Sequence, residues 1–368
     1  MKSNISSIDL HYLLKEMQFL EGARVDKVYH PRKEELLFQF HVASKGKQLL
    51  RVISGKFIFL SEYKENYDSP SGFCMFLRKK LSNSRLREIQ QEHSERVVRL
   101  VFENKEGKLN LYIELFGKGN IILADSKNNI INALQQQKWK DREIKKGLGY
   151  VFPKKEFELF KISKNEFCMA IDSNSQLVMK LAKDIGLGGT YSEELCILSG
   201  IGKNKKRLSK AEKESLYSSF SKIIAKKISP FIIYQKNSIK DIVPFELEIY
   251  KNLEKKSLPS FNSAFDFFFK EEYAEKEEFV SKHQQLIDKT NKIIEQQKGQ
   301  IKNLEKKSEQ NNRKGELIYE NYTVIEQILR ELNKARQKYS FSEIKEKLKG
   351  HNVIKSIDEK DKKIIINI

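Results

Sequence analysis

The sequence predicts an α+β protein in which a mixed N-terminal part precedes a long helical hairpin. Three observations support this prediction: short β-rich runs alternate with glycine- and proline-containing turns in the first third of the chain, helical spacing dominates after residue 156, and an apolar seven-residue repeat begins after residue 270. We therefore divide the chain into a mixed α/β domain (1–155), a helical domain (156–235), a connector (236–270), an antiparallel coiled coil (271–340) and the start of a further domain (341–368).

The mixed α/β domain begins with a helix, which is predicted over residues 9–20 because apolar residues recur there at helical spacing. Four β-rich runs, separated by glycine or proline as in hairpins, follow at residues 25–29, 35–42, 49–53 and 57–60. A second helix is predicted over residues 72–81, with Ser71 as its N-cap. Three further strands are predicted at residues 96–102, 109–115 and 120–124.

A glycine-rich turn lies at the centre of the helical domain. Residues 186–189 lead into a short helix, in which Thr190 and Glu193 have the spacing of a capping box and after which Gly200 is a natural stop. Because a helix N-terminus exposes unpaired N–H groups, such a turn is suited to bind a phosphate. The same spacing is also typical of a helix–turn–helix corner that binds nothing, and both interpretations stay open.

Residues 271–340 are predicted to form an antiparallel coiled-coil hairpin. The apolar residues of the first arm recur every seven positions and are Val280, Ile287, Ile294 and Ile301. After a polar turn predicted at residues 311–315, a second arm alternates steps of four and three with Ile318, Tyr322, Ile325, Leu329 and Leu332. At about 1.5 Å per residue, an arm of about thirty residues would be about 45 Å long.

A further domain is predicted to begin at residue 341. Residues 362–366 are predicted to form a strand, for which the sequence offers no evident partner. We expect that strand to belong to a domain whose remainder lies beyond the last residue of this chain.

The chain is strongly basic, with 69 lysine and arginine residues, 50 acidic residues and a formal net charge of +19. Two clusters of basic residues lie at residues 138–155 and 203–213. Because neutralising phosphates releases their counterions, this charge predicts binding to nucleic acid. The alternative is that these lysines form a solvated surface without a ligand.

Composition and motifs disfavour a membrane protein, a metalloprotein and an enzyme. No apolar stretch approaches the about 20 residues of a spanning helix, and the N-terminus lacks the apolar region of a signal peptide. The three cysteines are far apart, and zinc-type spacings, catalytic motifs and nucleotide-binding motifs do not occur, so we expect no metal and no cofactor. These features predict a cytoplasmic, noncatalytic protein.

Four segments together resemble one protein family. Residues 71–81 (SGFCMFLRKKL), 89–98 (IQQEHSERVV) and 113–123 (IELFGKGNIIL) are similar to the N-terminal domain of the NFACT proteins, which are also called fibronectin-binding protein A-like proteins. Residues 186–201 look like the family's helical domain, which in turn resembles the helix–two-turn–helix of formamidopyrimidine-DNA glycosylases. The resemblance implies the N-terminal fold of those glycosylases for the first domain, and a coiled coil and middle domain where we predict the hairpin.

The resemblance implies a role in ribosome quality control. Such proteins bind the large ribosomal subunit when a stalled peptidyl-tRNA obstructs it, hold tRNA and promote untemplated C-terminal tailing of the nascent chain. The family's tRNA-binding positions match Asp9, Glu95 and Arg96, where Glu95 replaces the usual aspartate and reaches one methylene further. Arg96 would contact RNA through its forked guanidinium, with the carboxylates orienting it. The Asp-Trp-Arg signature of the family's C-terminal RNA-binding domain does not occur in this sequence.

The resemblance suggests roles for other parts of the chain as well. The cations that would follow the RNA backbone, or would form a solvated surface instead, are Arg78, Lys79, Lys80, Lys145 and Lys146. The coiled coil and middle domain would bind a ribosomal protein or a ubiquitin-ligase-type factor. Homodimerisation of the coiled coil is the alternative.

Two other functions are compatible with parts of the resemblance. A DNA glycosylase would share the helical motif, but those enzymes use an N-terminal proline and an adjacent glutamate, whereas this chain begins Met1-Lys2-Ser3. An adhesin is suggested by the family's older name, although the sequence shows no signal or anchoring segment. We rank both below a ribosome- and tRNA-binding factor.

Overall fold

A computed structural model describes residues 2–64, 70–139, 142–153, 157–348, 353–358 and 363–367. The chain divides into two units, Met1–Lys276 and Glu277–Ile368. Helices and antiparallel sheets occur together in the chain, which confirms the predicted α+β class. Among the described residues, no helix is both long enough and apolar enough to cross a lipid bilayer.

A nine-stranded antiparallel sheet dominates the first unit. Its strands are β1 (Arg24–Arg32), β2 (Glu35–Val42), β3 (Gly46–Ile53), β4 (Phe57–Ser61), β5 (Arg85–Gln91), β6 (Val97–Asn104), β7 (Gly107–Glu114), β8 (Asn120–Asp125) and β9 (Ile130–Ala133). Their order across the sheet is β4-β3-β2-β1-β5-β6-β7-β8-β9, so two meanders join where β1 pairs with β5. A separate hairpin follows β9 and consists of β10 (Gln137–Lys138) and β11 (Glu143–Ile144).

The seven strands predicted for this region are confirmed, because alternation of buried and exposed residues or a continuous apolar run marks each of them. β5 and β9 have no predicted counterpart. A β-bulge between Leu86 and Glu88 interrupts the alternation of β5, and an interrupted period-two pattern is a weak strand signal.

The first two α-helices of the chain begin at serine N-caps. α1 (Ser7–Met17) starts after Ser6 and α2 (Gly72–Leu81) after Ser71, and each serine hydroxyl accepts an N–H group of the first helical turn. Removing such a cap costs about 1 kcal/mol. The apolar side of each helix belongs to the core of the unit.

The helical part of the first unit contains α3 (Lys164–Ala170), α4 (Leu177–Met179), α5 (Gly189–Ser199) and α6 (Lys210–Ala225). A π-helical turn, Lys180–Asp184, connects α4 to the glycine-rich turn that precedes α5. Apolar residues of these helices share one core with the large sheet, so the predicted helical domain and the α/β domain pack as a single unit.

Residues 236–270, predicted as a connector, carry regular structure. They contain β13 (Ser238–Val243), β14 (Glu254–Ser257) and α7 (Phe261–Phe268), and both strands pair with β12 (Phe231–Gln235). The phenylalanines of α7 pack against β4. Phe265, Phe268 and Phe269 are buried and belong to the core of the first unit.

A long helix, α8 (Ala274–Glu320), continues through residues 311–315, so the hairpin turn predicted there is wrong. A single glycine such as Gly315 costs a helix only about 1 kcal/mol, and the neighbouring arginine, lysine and glutamate are good helix formers. The chain leaves the helix at Asn321 instead, and α9 (Tyr322–Arg336) follows.

The predicted packing of a second arm against the apolar repeat of α8 is also wrong. Ile287, Ile294 and Ile301 are 51%, 42% and 55% exposed. Leu332 of α9 packs in a small core with α10 (Phe341–Lys347) and β15 (Ile354–Asp358). β15 pairs with β16 (Lys363–Ile366), which gives the predicted C-terminal strand a partner; Lys362 lies outside the described residues.

Gly119 lies where two backbone segments touch. Its φ is +67°, and a Cβ atom built on it would lie 2.0 Å from the backbone nitrogen of Gly55. We expect Gly119→Ala to lower the free energy of unfolding by about 2–4 kcal/mol, because backbone atoms cannot rotate away from the added methyl group. Gly117→Ala is the matched control, since Gly117 has a φ of +57° and nothing within 4 Å. It should cost about 1–2 kcal/mol, and equal losses of the two variants in urea unfolding would contradict the contact.

Candidate nucleic-acid interface

Four segments that are distant in sequence line a cleft of about 680 Å³ in the first unit. They are the N-terminal segment, the pair Glu95 and Arg96, residues 182–191 with the glycine-rich turn, and β13 with Lys240, Asp241 and Val243; Tyr250 completes the lining. The cleft therefore brings the three predicted tRNA-binding positions together with the glycine-rich turn.

Arg96 precedes β6 and is half-buried in the wall of the cleft. Its Nη1 atom donates a hydrogen bond to the carbonyl oxygen of Ile5 at 3.5 Å. Burial lowers the pKa of Arg96, and the neighbouring Glu95 carboxylate raises it. An arginine remains protonated despite such shifts, so the guanidinium is a partly desolvated cation that is suited to bidentate contact with a phosphate.

Asp9 lines the same cleft, but the residue is only 1% exposed. Its carboxylate accepts hydrogen bonds from the N–H of Ser6 at 2.9 Å and from the hydroxyl of Tyr191 at 2.7 Å, and it lies 3.0 Å from Nζ of Lys2. These contacts hold the N-terminal segment against α5. Glu95 and Arg96, by contrast, have partly exposed side chains.

A buried ammonium group, that of Lys2, organises the cleft and was not identified from the sequence. Its Nζ atom lies 2.8 Å from Asp241 Oδ1 in addition to its contact with Asp9. Burial alone would lower the pKa of Lys2, but the two carboxylates outweigh burial and raise it well above its ordinary value. Asp241 also accepts a hydrogen bond from the Tyr250 hydroxyl at 2.6 Å. No local pattern reveals this network, because Lys2 and Asp241 are 239 residues apart.

α5 begins at the cleft. Gly188 precedes it with a φ of +75° and provides no side chain to cap the helix. The N–H groups of the first turn, on Gly189, Thr190 and Tyr191, have no acceptor within the helix. Since these residues line the cleft together with Arg96, the helix dipole and the guanidinium favour an anion in the same place.

Two further cations line the cleft and carry no motif in the sequence. Lys183 is exposed, and Nζ of Lys240 lies 5.5 Å from the centroid of the Tyr250 ring. Their charge raises the positive potential of a concave surface, which attracts polyanions.

The five cations predicted to follow the RNA backbone lie outside this cleft. Arg78 donates a hydrogen bond from Nε to the carbonyl oxygen of Val28 at 2.7 Å, and Lys80 pairs with Glu106 at 3.0 Å. The remaining three are exposed and are Lys79, Lys145 and Lys146. Their contact with RNA stays a prediction.

The basic cluster at residues 203–213 is partly neutralised at the surface. Lys203 pairs with Glu193 at 2.9 Å, and Lys213 pairs with Asp172 at 2.7 Å.

The predicted capping box of Thr190 and Glu193 is wrong, because α5 begins at Gly189, one residue before Thr190. In the cluster at residues 138–155, residues 140–141 and 154–155 lie outside the described residues.

Similarity to known proteins extends over nearly the whole chain. The family model for NFACT N-terminal and middle domains matches residues 6–363. The chain is 32% identical over 395 residues to the archaeal Rqc2 homolog aRqcH of Methanocaldococcus jannaschii, a match that covers 100% of this chain and 58% of that protein. It is 25% identical over 369 residues to the human ribosome quality control complex subunit NEMF, covering 91% of this chain and 34% of that protein. The chain thus spans less than two thirds of the length of either relative.

Solved structures of similar fold cover nearly three quarters of this chain. The fibrinogen binding protein from Staphylococcus aureus has a TM-score of 0.60 at 18% identity, over 72% of this chain and 98% of that one. The N-terminal part of the fibronectin/fibrinogen-binding protein from Streptococcus suis has a TM-score of 0.59 at 22% identity, over 73% of this chain and 100% of that one. At these identities the likeness concerns the fold alone. The match over residues 6–363 confirms the family that the sequence motifs predict: this chain belongs to the NFACT family.

Proposed function

We propose that this protein acts in ribosome quality control, where it binds the obstructed large ribosomal subunit and tRNA and supports C-terminal tailing of stalled nascent chains. Support comes from family membership and from the human relative, which is named as a subunit of the ribosome quality control complex. The chain covers 34% of that relative's length, so the activity and the partners of this chain are part of the proposal.

The RNA-binding part of the proposal is carried by one observation: Arg96 and the uncapped N-terminus of α5 line the same cleft. A guanidinium and a helix N-terminus both bind phosphate, and Lys183 and Lys240 add positive charge beside them. In this proposal Arg96 binds a phosphate or a base edge of tRNA, and Glu95 accepts a ribose 2′-hydroxyl. Asp9, which is buried, keeps the N-terminal segment and α5 in place.

The exposed apolar repeat of α8 supplies the second contact in this proposal. Apolar residues along one helix are typical of a surface that binds a partner helix or groove. We assign this surface to a ribosomal protein or a ubiquitin-ligase-type factor in the cytoplasm. Homodimerisation is the alternative, and analytical ultracentrifugation of the free protein distinguishes the two.

Cosedimentation and filter binding test the proposal. Large ribosomal subunits that carry peptidyl-tRNA and vacant large subunits are each pelleted with the protein, and labelled tRNA is retained on a filter at increasing salt. We expect preferential pelleting with the obstructed subunits and retention that falls steeply with salt, because each phosphate contact releases counterions. Failure of the protein to pellet with either kind of large subunit, or retention of tRNA that does not depend on salt, would count against the proposal.

The proposed role requires no catalysis by this chain. Strand cleavage on incubation with a duplex that contains an oxidised base would instead favour the glycosylase hypothesis. Labelling of the protein on the surface of intact cells would favour an adhesin.

A further inference from the structure

The single tryptophan of the chain, Trp139, is 46% exposed and lines a second groove of the first unit. The groove has a volume of about 930 Å³ and is lined by residues 116–119, 135–139, 151–153, Glu114 and Arg142. An indole carries a large apolar surface and one polar N–H group, and tryptophan is for that reason enriched at binding surfaces. The groove is therefore a candidate binding site separate from the cleft.

The wall beside Trp139 is held in place by amide hydrogen bonds. Gln137 of β10 donates from Nε2 to the carbonyl oxygen of Gly119 at 3.1 Å and accepts from Nδ2 of Asn120 at 3.0 Å. Asn120 also donates to the carbonyl oxygen of Gln135 at 2.8 Å. These bonds fix the β10–β11 hairpin to the start of β8, so the indole is presented by a preorganised support.

A buried ion pair supports the indole from within. The guanidinium of Arg142 pairs with Glu114 and lies over the Trp139 ring, 5.3 Å from its centroid. Glu114 also accepts a hydrogen bond from the hydroxyl of Tyr150 at 2.8 Å. The charge of Arg142 is thus balanced inside the protein, and its guanidinium lies within cation–π distance of the indole.

The rim of the groove is cationic. Lys118 and Lys138 are exposed, and Glu114, which Arg142 neutralises, supplies the only carboxylate among those lining residues that the structure describes. An aromatic platform flanked by lysines is the arrangement by which proteins bind single-stranded nucleic acid, because bases stack on the ring and phosphates meet the cations. The exposed amide of Gln136 lies in the same lining and can hydrogen-bond to a base edge.

A short path of backbone contacts connects the groove to the cleft. The turn that carries Lys118 packs against Gly55, since the N–H of Gly55 donates to the carbonyl oxygen of Glu114 at 2.9 Å. The next residue, Lys56, accepts a hydrogen bond from the N–H of Ile5 at 3.0 Å, and the carbonyl oxygen of Ile5 faces Arg96. The groove and the cleft are therefore connected through the backbone of Gly55, Lys56 and Ile5.

We propose that this groove binds an unpaired nucleotide of the RNA held in the cleft, with the base stacked on Trp139 and the flanking phosphates at Lys118 and Lys138. The inference rests on the proposed function and narrows the ligand to RNA with a single-stranded segment beside its structured part. A proline-rich peptide also fits aromatic grooves. The two rim lysines favour RNA over the peptide because they can bind phosphates, and peptide binding is one of the outcomes that the experiment distinguishes.

Because Trp139 is the only tryptophan, intrinsic fluorescence of the 368-residue chain reports on this groove without a label. Short oligouridine, a duplex RNA of equal length and a proline-rich peptide are titrated separately. We expect the single strand to quench the fluorescence to saturation, since a base stacked on indole quenches it, while the duplex and the peptide leave it unchanged.

Variants are compared by anisotropy of labelled oligouridine. Trp139→Ala should weaken binding by about 5- to 100-fold, the range for loss of one stacked base, and Trp139→Phe should stay within about threefold. Tyr319→Ala is the matched control, because Tyr319 is an exposed aromatic residue of α8 outside the groove and should leave binding unchanged. Replacing Lys118 and Lys138 by alanine should weaken binding and reduce its salt dependence.

Quenching by the peptide in place of RNA would overturn the inference, as would RNA binding without quenching. If Arg96 variants lose tRNA while Trp139→Ala binds tRNA and oligouridine normally, the proposed function stands and the inference fails. If the unmodified protein binds neither RNA, both fail. Circular dichroism melting of each variant separates a binding defect from unfolding.

Discussion

Arg96→Gln is expected to weaken tRNA binding by about 10- to 100-fold and to leave the melting temperature nearly unchanged. Losing a hydrogen bond to a charged group costs about 1.5–3 kcal/mol, and each 1.4 kcal/mol corresponds to about tenfold in affinity. The fold should tolerate the change, because the hydrogen bond from Arg96 to Ile5 is 3.5 Å long, at the limit for such a bond.

Arg87→Gln is the matched control for this prediction. It removes the same charge from an exposed arginine of β5, which pairs with Glu103 and does not line the cleft. Arg96→Lys keeps the charge but loses the forked geometry, so we expect an intermediate loss of affinity. Filter binding of tRNA at one salt concentration measures all variants. Equal retention of tRNA by R96Q and the unmodified protein would contradict the assignment of Arg96 to the tRNA-binding site.

Lys2→Met is expected to lower the free energy of unfolding by about 3–5 kcal/mol, the cost of removing one partner from a buried ion pair. The ammonium group of Lys2 lies within 3.0 Å of both Asp9 and Asp241. Without it, two carboxylates remain buried near each other with no counter-ion. Urea unfolding near neutral pH measures the loss.

Two further variants test whether the buried charges cause this loss. Lys47→Met removes an exposed lysine of β3 and should change stability by less than about 0.5 kcal/mol. The double variant K2M/D241N should be more stable than the sum of the single changes predicts, because it also removes one of the stranded carboxylates. Additive losses would show that the charges do not interact.

The pH dependence of the same variant has a defined sign. Burial raises the pKa of Asp241, but Lys2 outweighs burial and lowers it below the ordinary value. In the unmodified protein this carboxylate therefore stabilises the fold above its ordinary pKa, and the contribution is lost as the pH falls through the folded-state pKa. In K2M the Asp241 carboxylate loses its counter-ion while it stays buried, so we expect its pKa to be raised. Acidification toward about pH 4 should therefore narrow the gap in the free energy of unfolding between K2M and the unmodified protein. A gap that stays constant or widens would contradict the assigned network.

Much of the fold was predictable because its signals act over a few residues. The seven predicted strands and α2 with its Ser71 cap follow from alternation, glycine turns and a serine hydroxyl three residues from the N–H group it accepts. The same locality explains the failure at residues 311–315. Several polar residues and one glycine are typical of a turn, but strong helix formers on each side allow α8 to continue through this segment.

The site was predictable only in part. Motif resemblance selected Glu95 and Arg96, which line the cleft, and Asp9, which supports it from a buried position. Lys183 and Lys240 carry no motif, since each is one lysine among many in a basic chain.

Local sequence alone therefore suffices for most elements of the N-terminal α/β part, for the basic character and for the family of this protein. The cleft, the Lys2 network and the groove around Trp139 arise only when the chain folds. The cleft and the Lys2 network join segments that are far apart along the chain, up to the 239 residues between Lys2 and Asp241, and the groove joins separate segments between residues 114 and 153. Burial of apolar surface brings such segments together, and the pairing of charges that burial then requires leaves no periodic trace in the sequence.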